Sequence, residues 1–266
     1  MTDQILSTSA IKLYLDCPYA YYLRYLGRCK PEFVDDTYLR LGKSGHAILQ
    51  HYYEELDLSN PNLEVEFVEK MKSVAFKYWD RTIDARKRVE LEPALFNWIK
   101  FELQRFHNYK KQGIEDRFKP VAVEQDLTDY NNRLRAVMDK RCIGSNGLQY
   151  VMDYKFDAKL PAKRNWSVNL AEIDIKYKVQ AAINVNVLKS QDIEIASFFF
   201  QFIRYPDKLL SIPLTSELFS EIDALISKIR ADEVFKKNKK GCFMCSLKAD
   251  CEAQNSSIHC FGTERI

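Results

Sequence analysis

The sequence predicts an α/β protein with helices on both faces of a central sheet, and three observations lead to this fold class. Residues 1–116 show apolar residues at helical spacing. From Lys119 the pattern changes to strand character around the turn at 144–147. A helical pattern over 173–188 then separates this hairpin from an almost wholly apolar strand over 193–205. Strands that are flanked and separated by helices favour a layered α/β arrangement.

The first predicted helices lie at the N-terminus. Ser7, Thr8 and Ser9 precede apolar residues at helical spacing, which is typical of an N-cap followed by a helix. Cys17-Pro18 interrupts this helix, and an aromatic-rich helix follows over residues 19–26.

Three longer helices follow in the N-terminal region. The segment Leu41–His46 opens a helix that runs to about Leu56, so His46 is expected in its first turn. Two amphipathic helices are predicted over residues 62–90 and 92–112.

A β-hairpin is predicted next, with an aspartate on each arm. Strand character over 134–139 ends at Asp139, and the strand that begins at Gln149 contains Asp153. If the pairing is centred on Asn146, the two aspartates lie opposite each other with β-carbons roughly 5 Å apart. If it is centred between Ser145 and Asn146, they face opposite sides unless a bulge intervenes. The sequence leaves both registers open.

The hairpin's second strand contains the segment that predicts chemistry, Val151–Lys155. Residues two apart on a strand point to the same face, so Asp153 and Lys155 are expected to project together. A carboxylate can bind a divalent cation, and an adjacent ammonium can orient a water or stabilise the developing charge of a phosphate. The pattern D-x-K is common by chance, so it indicates a catalytic site only together with the other motifs of the chain.

The segment after the hairpin is predicted to be a basic loop. Its basic and aromatic side chains are Lys159, Lys163, Arg164 and Trp166. The helix over 173–188 contains Gln180, and the apolar strand after it includes Phe198-Phe199-Phe200, which favours burial on both faces. A last amphipathic helix is predicted over 215–234.

Three cysteines near the C-terminus have metal-site spacing. Cys242, Cys245 and Cys251 follow the pattern C-x₂-C-x₅-C. A four-thiolate site needs one more ligand, for which Cys260 and Cys17 compete and His259 is a third choice. Cys260 would complete a local zinc site. Cys17 would instead join the two chain ends, as an iron–sulfur cluster used as a structural clasp would do.

Composition excludes several classes of protein. Net charge is only +3, so a nucleic-acid surface would have to be local. No stretch approaches about 18 consecutive apolar residues, so no membrane span is expected. The N-terminus lacks the pattern of a signal peptide, and seven cysteines are therefore expected to be thiols or metal ligands. A cytoplasmic location is expected, or the host cytoplasm for a viral protein.

Together these motifs resemble the RecB-like, iron–sulfur branch of the PD-(D/E)XK nucleases. That branch includes AddB-type recombination nucleases and CRISPR-associated spacer-acquisition nucleases. The resemblance spans residues 7–251 and depends on the order of the motifs, which are Cys17-Pro18, Gly45-His46, Asp139, Asp153-Tyr154-Lys155, Gln180 and the C-terminal cysteines. It implies a helical N-terminal region over 1–116, a nuclease core with a mixed sheet over 117–235, and a C-terminal iron–sulfur module over 236–266.

The resemblance also implies roles for individual residues. His46, Asp139 and Asp153, with the main-chain carbonyl of Tyr154, would bind Mg²⁺ or Mn²⁺. Lys155 would be the catalytic lysine and Gln180 an orienting residue, while Glu124 would support the ligands from the preceding strand. A 4Fe-4S cluster would be bound by Cys17, Cys242, Cys245 and Cys251. Two positions depart from the family pattern, since Asn184 stands where tyrosine is frequent and the segment before Asp139 lacks the usual glycine.

The expected activity is that of a metal-dependent exonuclease on single-stranded DNA, with 5′ to 3′ polarity favoured. It would act in recombination, repair, phage DNA metabolism or CRISPR adaptation, with a helicase or recombination protein as a possible partner. The N-terminal aromatic helices and the basic loop Lys159–Trp166 would form the channel for the strand. Two alternatives are a catalytically silent module that binds DNA or a helicase, and a structural protein held by zinc.

Overall fold

Among the residues that the computed structural model describes (4–30, 37–157, 159–238, 242 and 245–256), six strands form one mixed sheet. The strands are β1 (Leu6–Ser7), β2 (Ala122–Asp129), β3 (Leu134–Ile143), β4 (Gln149–Lys155), β5 (Ser197–Phe202) and β6 (Tyr205–Ile212). The helices of the same residues are α1 (Thr8–Asp16), α2 (Pro18–Tyr21), α3 (Thr37–Glu55), α4 (Leu63–Tyr78), α5 (Ala85–Lys111), α6 (Ile175–Lys189), α7 (Ser216–Ala231) and α8 (Lys248–Ser256). The predicted α/β class is confirmed.

The sheet combines antiparallel strand pairs with two parallel pairs. β2 and β4 both run antiparallel to β3, β5 runs parallel to β4, and β6 runs antiparallel to β5. The short β1 pairs in parallel with the start of β3. Parallel pairing of β4 with β5 requires a crossover, and α6 lies in that connection.

The register of the hairpin is the one centred on Asn146. Lys140 pairs with Met152 and Arg141 with Val151. Asp139 and Asp153 are the next residues along the two strands, so they lie opposite each other.

Helices cover both faces of the sheet. On one face, α1, α6 and α7 contribute to a cluster of buried apolar residues that includes Phe198 and Phe200 of β5. On the other face, α3, α4 and α5 form a second cluster, against which Phe199 packs. The run Phe198–Phe200 is therefore covered on both sides, as its composition predicts.

The bounds of the last predicted strand are wrong. In place of a single strand over 193–205, the structure has β5, a turn at Ile203–Arg204, and β6, which continues to Ile212. β6 was missed because Pro206 and Asp207, which are typical of turns, follow its first residue. Proline is tolerated there because β6 pairs only with β5 among the described strands, and an edge strand does not need every N–H.

The helices near the site also begin earlier than expected. α3 starts at Thr37, so His46 lies in its third turn and not its first. α5 starts at Ala85 because the Asp84 carboxylate accepts a hydrogen bond from the Arg86 N–H at 2.8 Å, an N-cap contact. The helix then continues through Pro93.

No helix of the described residues combines the length and the apolar composition that crossing a bilayer requires.

Candidate active site

Three acidic residues lie in one row across three neighbouring strands. In the β2–β3 ladder, Glu124 stands opposite Asp139, because the pairs on either side of them are in register. In the β3–β4 ladder, Asp153 occupies the position opposite Asp139. The row brings carboxylates from three strands to one place in the sheet.

His46 of α3 completes a group that could hold a metal ion. Its Nδ1 lies 3.3 Å from Glu124 Oε1 and 3.3 Å from Asp139 Oδ1. One ligand atom from each of these three residues lies within 4.8 Å of the others. Imidazole nitrogen and carboxylate oxygen suit borderline and hard divalent cations such as Mn²⁺ and Mg²⁺.

The electrostatics of this group also favour a cation. Burial alone would lower the pKa of His46, but the carboxylates of Asp139 and Glu124 outweigh burial and raise it to about 10. The imidazolium thus neutralises two acids at the place where a divalent cation would do the same.

Glu124 takes part through an unusual backbone conformation. Its φ is +45°, in the left-handed region that residues other than glycine seldom adopt within a strand. On one side of it Val123 packs in the cluster of α3, α4 and α5, and on the other side Leu127 packs in the opposite cluster. Backbone outliers of this kind concentrate at functional sites. The sequence assigned Glu124 only a supporting role, whereas the structure places its carboxylate in the His46 group.

Asp153 is held by Lys155 and Gln180. Its carboxylate forms an ion pair with the Lys155 ammonium and accepts a hydrogen bond from Gln180 Nε2. Lys155 Nζ also donates to Gln180 Oε1 at 3.2 Å. Burial and the neighbouring Asp139 carboxylate raise the pKa of Asp153, against the opposing effect of Lys155. Asp153, Lys155 and Gln180 therefore meet as their sequence motifs predict, although Asp153 is not in the His46 group.

Tyr154 contacts the site through its backbone. Its N–H donates to Asp139 Oδ2 at 2.6 Å, which fixes that carboxylate on the sheet. Its carbonyl as a metal ligand remains a prediction.

A buried charged network lies behind the acids on the α3–α5 face. Lys140, which follows Asp139, is 1% exposed and donates to Tyr53 Oη at 2.8 Å. Its ammonium lies 3.7 Å from Glu102, which in turn pairs with Arg105 at 2.6 Å. Burying charges is tolerated here because each has a partner, and the network anchors β3 next to Asp139.

Lys12 of α1 reaches the site and was not identified from the sequence. Its Nζ donates to Gln180 Oε1 at 2.5 Å, across 168 positions of the chain. Burial, followed by the charge of Lys155, lowers the pKa of Lys12 to about 8. No local motif signals this contact, because it depends on how α1 packs against α6.

Gly45 sets the distance between α3 and β4. A β-carbon at this position would lie 2.3 Å from the ring of Phe156, so only glycine permits the ring to pack on the helix. The same ring contacts the next residue, His46, with ring centroids 5.3 Å apart. A β-carbon at Gly42, one turn earlier, would meet nothing within 4 Å.

Two clefts flank His46, and both are lined by Tyr38, Gly42 and His46. One, of about 470 Å³, extends past Lys155 to basic side chains of α5 and the β5–β6 turn. The other, of about 600 Å³, lies over Glu124 and Asp139. The Tyr38 side chain is 73% exposed between them.

The basic loop agrees with expectation only in part. Lys159, Lys163 and Arg164 are exposed. Trp166 is half-buried and packs on Phe202 with ring centroids 5.8 Å apart, and its Nε1 donates to the Pro161 carbonyl at 3.3 Å. The Trp166 ring therefore packs against the core of the sheet with part of its surface exposed, and its role in stacking on bases stays a prediction.

The cysteines of the predicted cluster line one cavity of about 490 Å³ between α1, α2 and the C-terminal segment. These are Cys17, Cys242, Cys245 and Cys251. Asn238 N–H points to Cys17 Sγ at 3.4 Å, which joins the two ends of the chain at this cavity. The competing ligands Cys260 and His259 lie outside the described residues.

Asn184 follows Gln180 by one turn and is 1% exposed. Neither polar atom of its side chain has a hydrogen-bond partner among the described residues. Nothing in the structure gives it a role in the site.

Comparison with known proteins shows the fold and the family of this chain. A crystal structure named "Putative exonuclease" from Eubacterium rectale is similar in fold, with a TM-score of 0.50 and 15% sequence identity over 97% of this chain and 90% of that chain. No curated protein sequence matches the chain significantly. The family model of the PD-(D/E)XK nuclease superfamily matches residues 5–252. This chain therefore belongs to the PD-(D/E)XK nuclease superfamily.

Proposed function

We propose that this protein is a divalent-metal-dependent deoxyribonuclease that degrades single-stranded DNA from an end. The observation that carries the proposal is the row of Glu124, Asp139 and Asp153, with His46 on one side and Lys155 on the other. The row is a candidate cation site beside a positioned ammonium, the combination that phosphodiester hydrolysis uses.

The residues of the site divide the work as follows. A divalent cation bound by His46, Glu124 and Asp139, with Asp153 opposite, would supply Lewis-acid polarisation of the phosphate and a more acidic water. The Tyr154 N–H fixes the Asp139 carboxylate. Lys155, held beside Asp153 by Gln180, stabilises negative charge that develops on the phosphate. Because hydrolysis by water needs no covalent intermediate, the site requires no nucleophilic side chain.

The activity is tested with end-labelled single-stranded, double-stranded and closed circular DNA, with Mg²⁺, Mn²⁺ or EDTA. We expect cleavage of linear single strands that requires the metal, begins at the 5′ end and spares circles. Absence of cleavage with either metal, or undiminished cleavage in EDTA, would contradict the proposal. Equal cutting of circles would remove the requirement for an end.

Exposed aromatic and basic side chains beside the site support a single-stranded substrate. The Tyr38 ring lies between the two clefts, and the Lys87 ammonium sits 5.5 Å from its centroid. Arg204 lines the same cleft as Lys87 and Lys155. A base can stack on such a ring only when it is not already stacked within a duplex.

Substitution of Tyr38 tests this substrate preference. We expect Tyr38→Ala to weaken binding of single-stranded DNA by about tenfold, since stacking of one base contributes roughly 1–3 kcal/mol. Tyr38→Phe should retain binding. Tyr130→Ala is the matched control, because Tyr130 is 77% exposed at the far end of β2. Fluorescence anisotropy of a labelled oligonucleotide measures the effect, and equal affinities of Tyr38→Ala and Tyr130→Ala would contradict it.

We further propose that the cysteine cavity holds a 4Fe-4S cluster, as in the RecB-like branch, and that residues 236–266 form the module that carries it. The donor set fits such a group, because four thiols line one cavity whose wall is completed by apolar residues such as Leu23 and Leu247. Burial raises the pKa of the Cys251 thiol, so a bound metal would have to favour its thiolate form. The cluster would connect α1 to the last helix.

The colour of the protein distinguishes this cluster from zinc. Prepared without oxygen, the protein should be brown, Cys17→Ala should be colourless, and Cys142→Ala should stay brown because Cys142 is buried in β3 away from the cavity. Loss of the cluster should lower thermal stability, since thiolate ligation contributes folding free energy. A colourless wild type with bound zinc, or a brown Cys17→Ala variant, would refute the assignment.

A further inference from the structure

The ammonium of Lys12 lies at the candidate active site and forms no ion pair with a carboxylate of the residues that the structure describes. Its one hydrogen bond to a described residue is to the amide oxygen of Gln180, and no carboxylate of the described residues lies within 4 Å of its ammonium. Lys155, which shares that oxygen, is paired with Asp153. The two ammonium groups therefore differ, because Lys155 is in direct contact with a carboxylate, whereas the charges of Asp153 and Asp139 act on Lys12 only from beyond 4 Å.

A half-buried ammonium with only a neutral acceptor is costly in the free protein. The free-energy cost of removing the ammonium from water is offset when an anion binds to it. The hydrogen bond from the ammonium to an anion is stronger than its hydrogen bond to the neutral amide of Gln180. Lys12 lies on α1, which packs on α6, so its ammonium approaches Gln180 from a different element than Lys155 does. The position therefore offers a preformed place for an anion beside Lys155.

We propose that Lys12 binds a nonbridging phosphate oxygen of the substrate, so that the site grips the phosphate with two lysines from two different elements. Gln180 acts as the positioning residue, since its amide oxygen accepts from both ammonium groups and its amide nitrogen donates to Asp153. The phosphate would replace Gln180 as the main partner of Lys12. This inference deepens the proposed function and depends on it.

The anion is identified by the chemistry of the site. The lysine pair lies next to a candidate cation centre, and the ligand that bridges a cation and two ammonium groups is an oxyanion with several oxygens. A phosphodiester has this form and carries the bond that the proposed function hydrolyses.

The test compares Lys12→Met and Lys12→Arg with Lys176→Met. Lys176 also belongs to this region, but its ammonium is neutralised by Asp16 at 2.5 Å, so it is a control with the same change of charge. Cleavage is measured in single-turnover experiments with Mg²⁺. Binding of single-stranded DNA is measured against salt concentration in an Asp139→Asn background that does not cleave.

We expect Lys12→Met to lower the cleavage rate on the order of 10²-fold. It should also reduce the slope of log affinity against log salt by about 0.7, the value for one lost phosphate contact on a single strand. Lys12→Arg should keep the wild-type slope, and Lys176→Met should change the rate by less than about twofold because its charge is already paired. Circular dichroism confirms that each variant is folded.

Two results would overturn the proposal. The first is wild-type cleavage by Lys12→Met. The second is slower cleavage with an unchanged salt slope in Lys12→Met, which would show that Lys12 acts only by holding Gln180. Failure of the wild type to cleave any DNA would instead refute the proposed function, so the two failures are distinguishable.

Discussion

Asp139→Asn is expected to abolish metal-dependent cleavage, with a fall in rate of at least about 10³-fold. Asp139 is the central acid of the row and contributes to the His46 group, and its other oxygen is fixed by the Tyr154 N–H. Asparagine keeps the shape of the side chain and can accept that same hydrogen bond, so the sheet should remain intact. Only the charge that attracts the cation is removed.

The control for this variant is Asp126→Asn. Asp126 lies on β2 two residues beyond Glu124, and its exposed carboxylate pairs with Arg135. The substitution Asp126→Asn removes one negative charge from the same sheet but changes no residue of the candidate site. Cleavage should therefore remain near wild type. Thermal unfolding by circular dichroism shows whether either variant loses structure. A folded Asp139→Asn protein with normal cleavage would refute the assignment of Asp139.

Gly45→Ala and Gly42→Ala are expected to change stability in opposite directions. At Gly45 the new β-carbon overlaps the Phe156 ring, and such overpacking costs typically 1–3 kcal/mol. At Gly42 the β-carbon meets nothing, so the higher helix propensity of alanine should stabilise the protein by about 0.5–1 kcal/mol. Both positions belong to α3, which makes each variant the control of the other.

Cleavage activity should fall in Gly45→Ala and stay near wild type in Gly42→Ala. Movement of α3 away from Phe156 would displace His46, the next residue, so Gly45→Ala should also weaken Mn²⁺ binding and cleavage. The double variant Gly45→Ala/Phe156→Leu should recover part of the lost stability, because the smaller side chain makes room for the methyl group. Denaturant unfolding measures the free energies. Equal stability of Gly42→Ala and Gly45→Ala would contradict the packing argument.

The hairpin shows what the sequence could predict. The turn at Gly144–Gly147 and the alternation along two strands are local signals that predicted the hairpin, but they left two registers open, and the structure has the one centred on Asn146. The meeting of Asp153, Lys155 and Gln180 was predicted by motif order in the resemblance, and the structure brings these side chains into contact.

Glu124 and Lys12 show what the sequence could not predict. Glu124 reaches His46 through a positive φ, and no residue type in its segment announces that conformation. Lys12 reaches Gln180 only because α1 packs on α6, a contact between distant parts of the chain. The contact of Trp166 with Phe202 was also not predicted, because the sequence of a basic loop does not show which ring packs on the sheet.

The central claim is that His46, Glu124 and Asp139 converge on one divalent cation. Anomalous diffraction from a crystal soaked in Mn²⁺ tests this directly. The account predicts a manganese peak within coordination distance of these three side chains, adjacent to Asp153, and no such peak in Asp139→Asn. A wild-type crystal that holds no manganese there, or holds it only elsewhere, would contradict it.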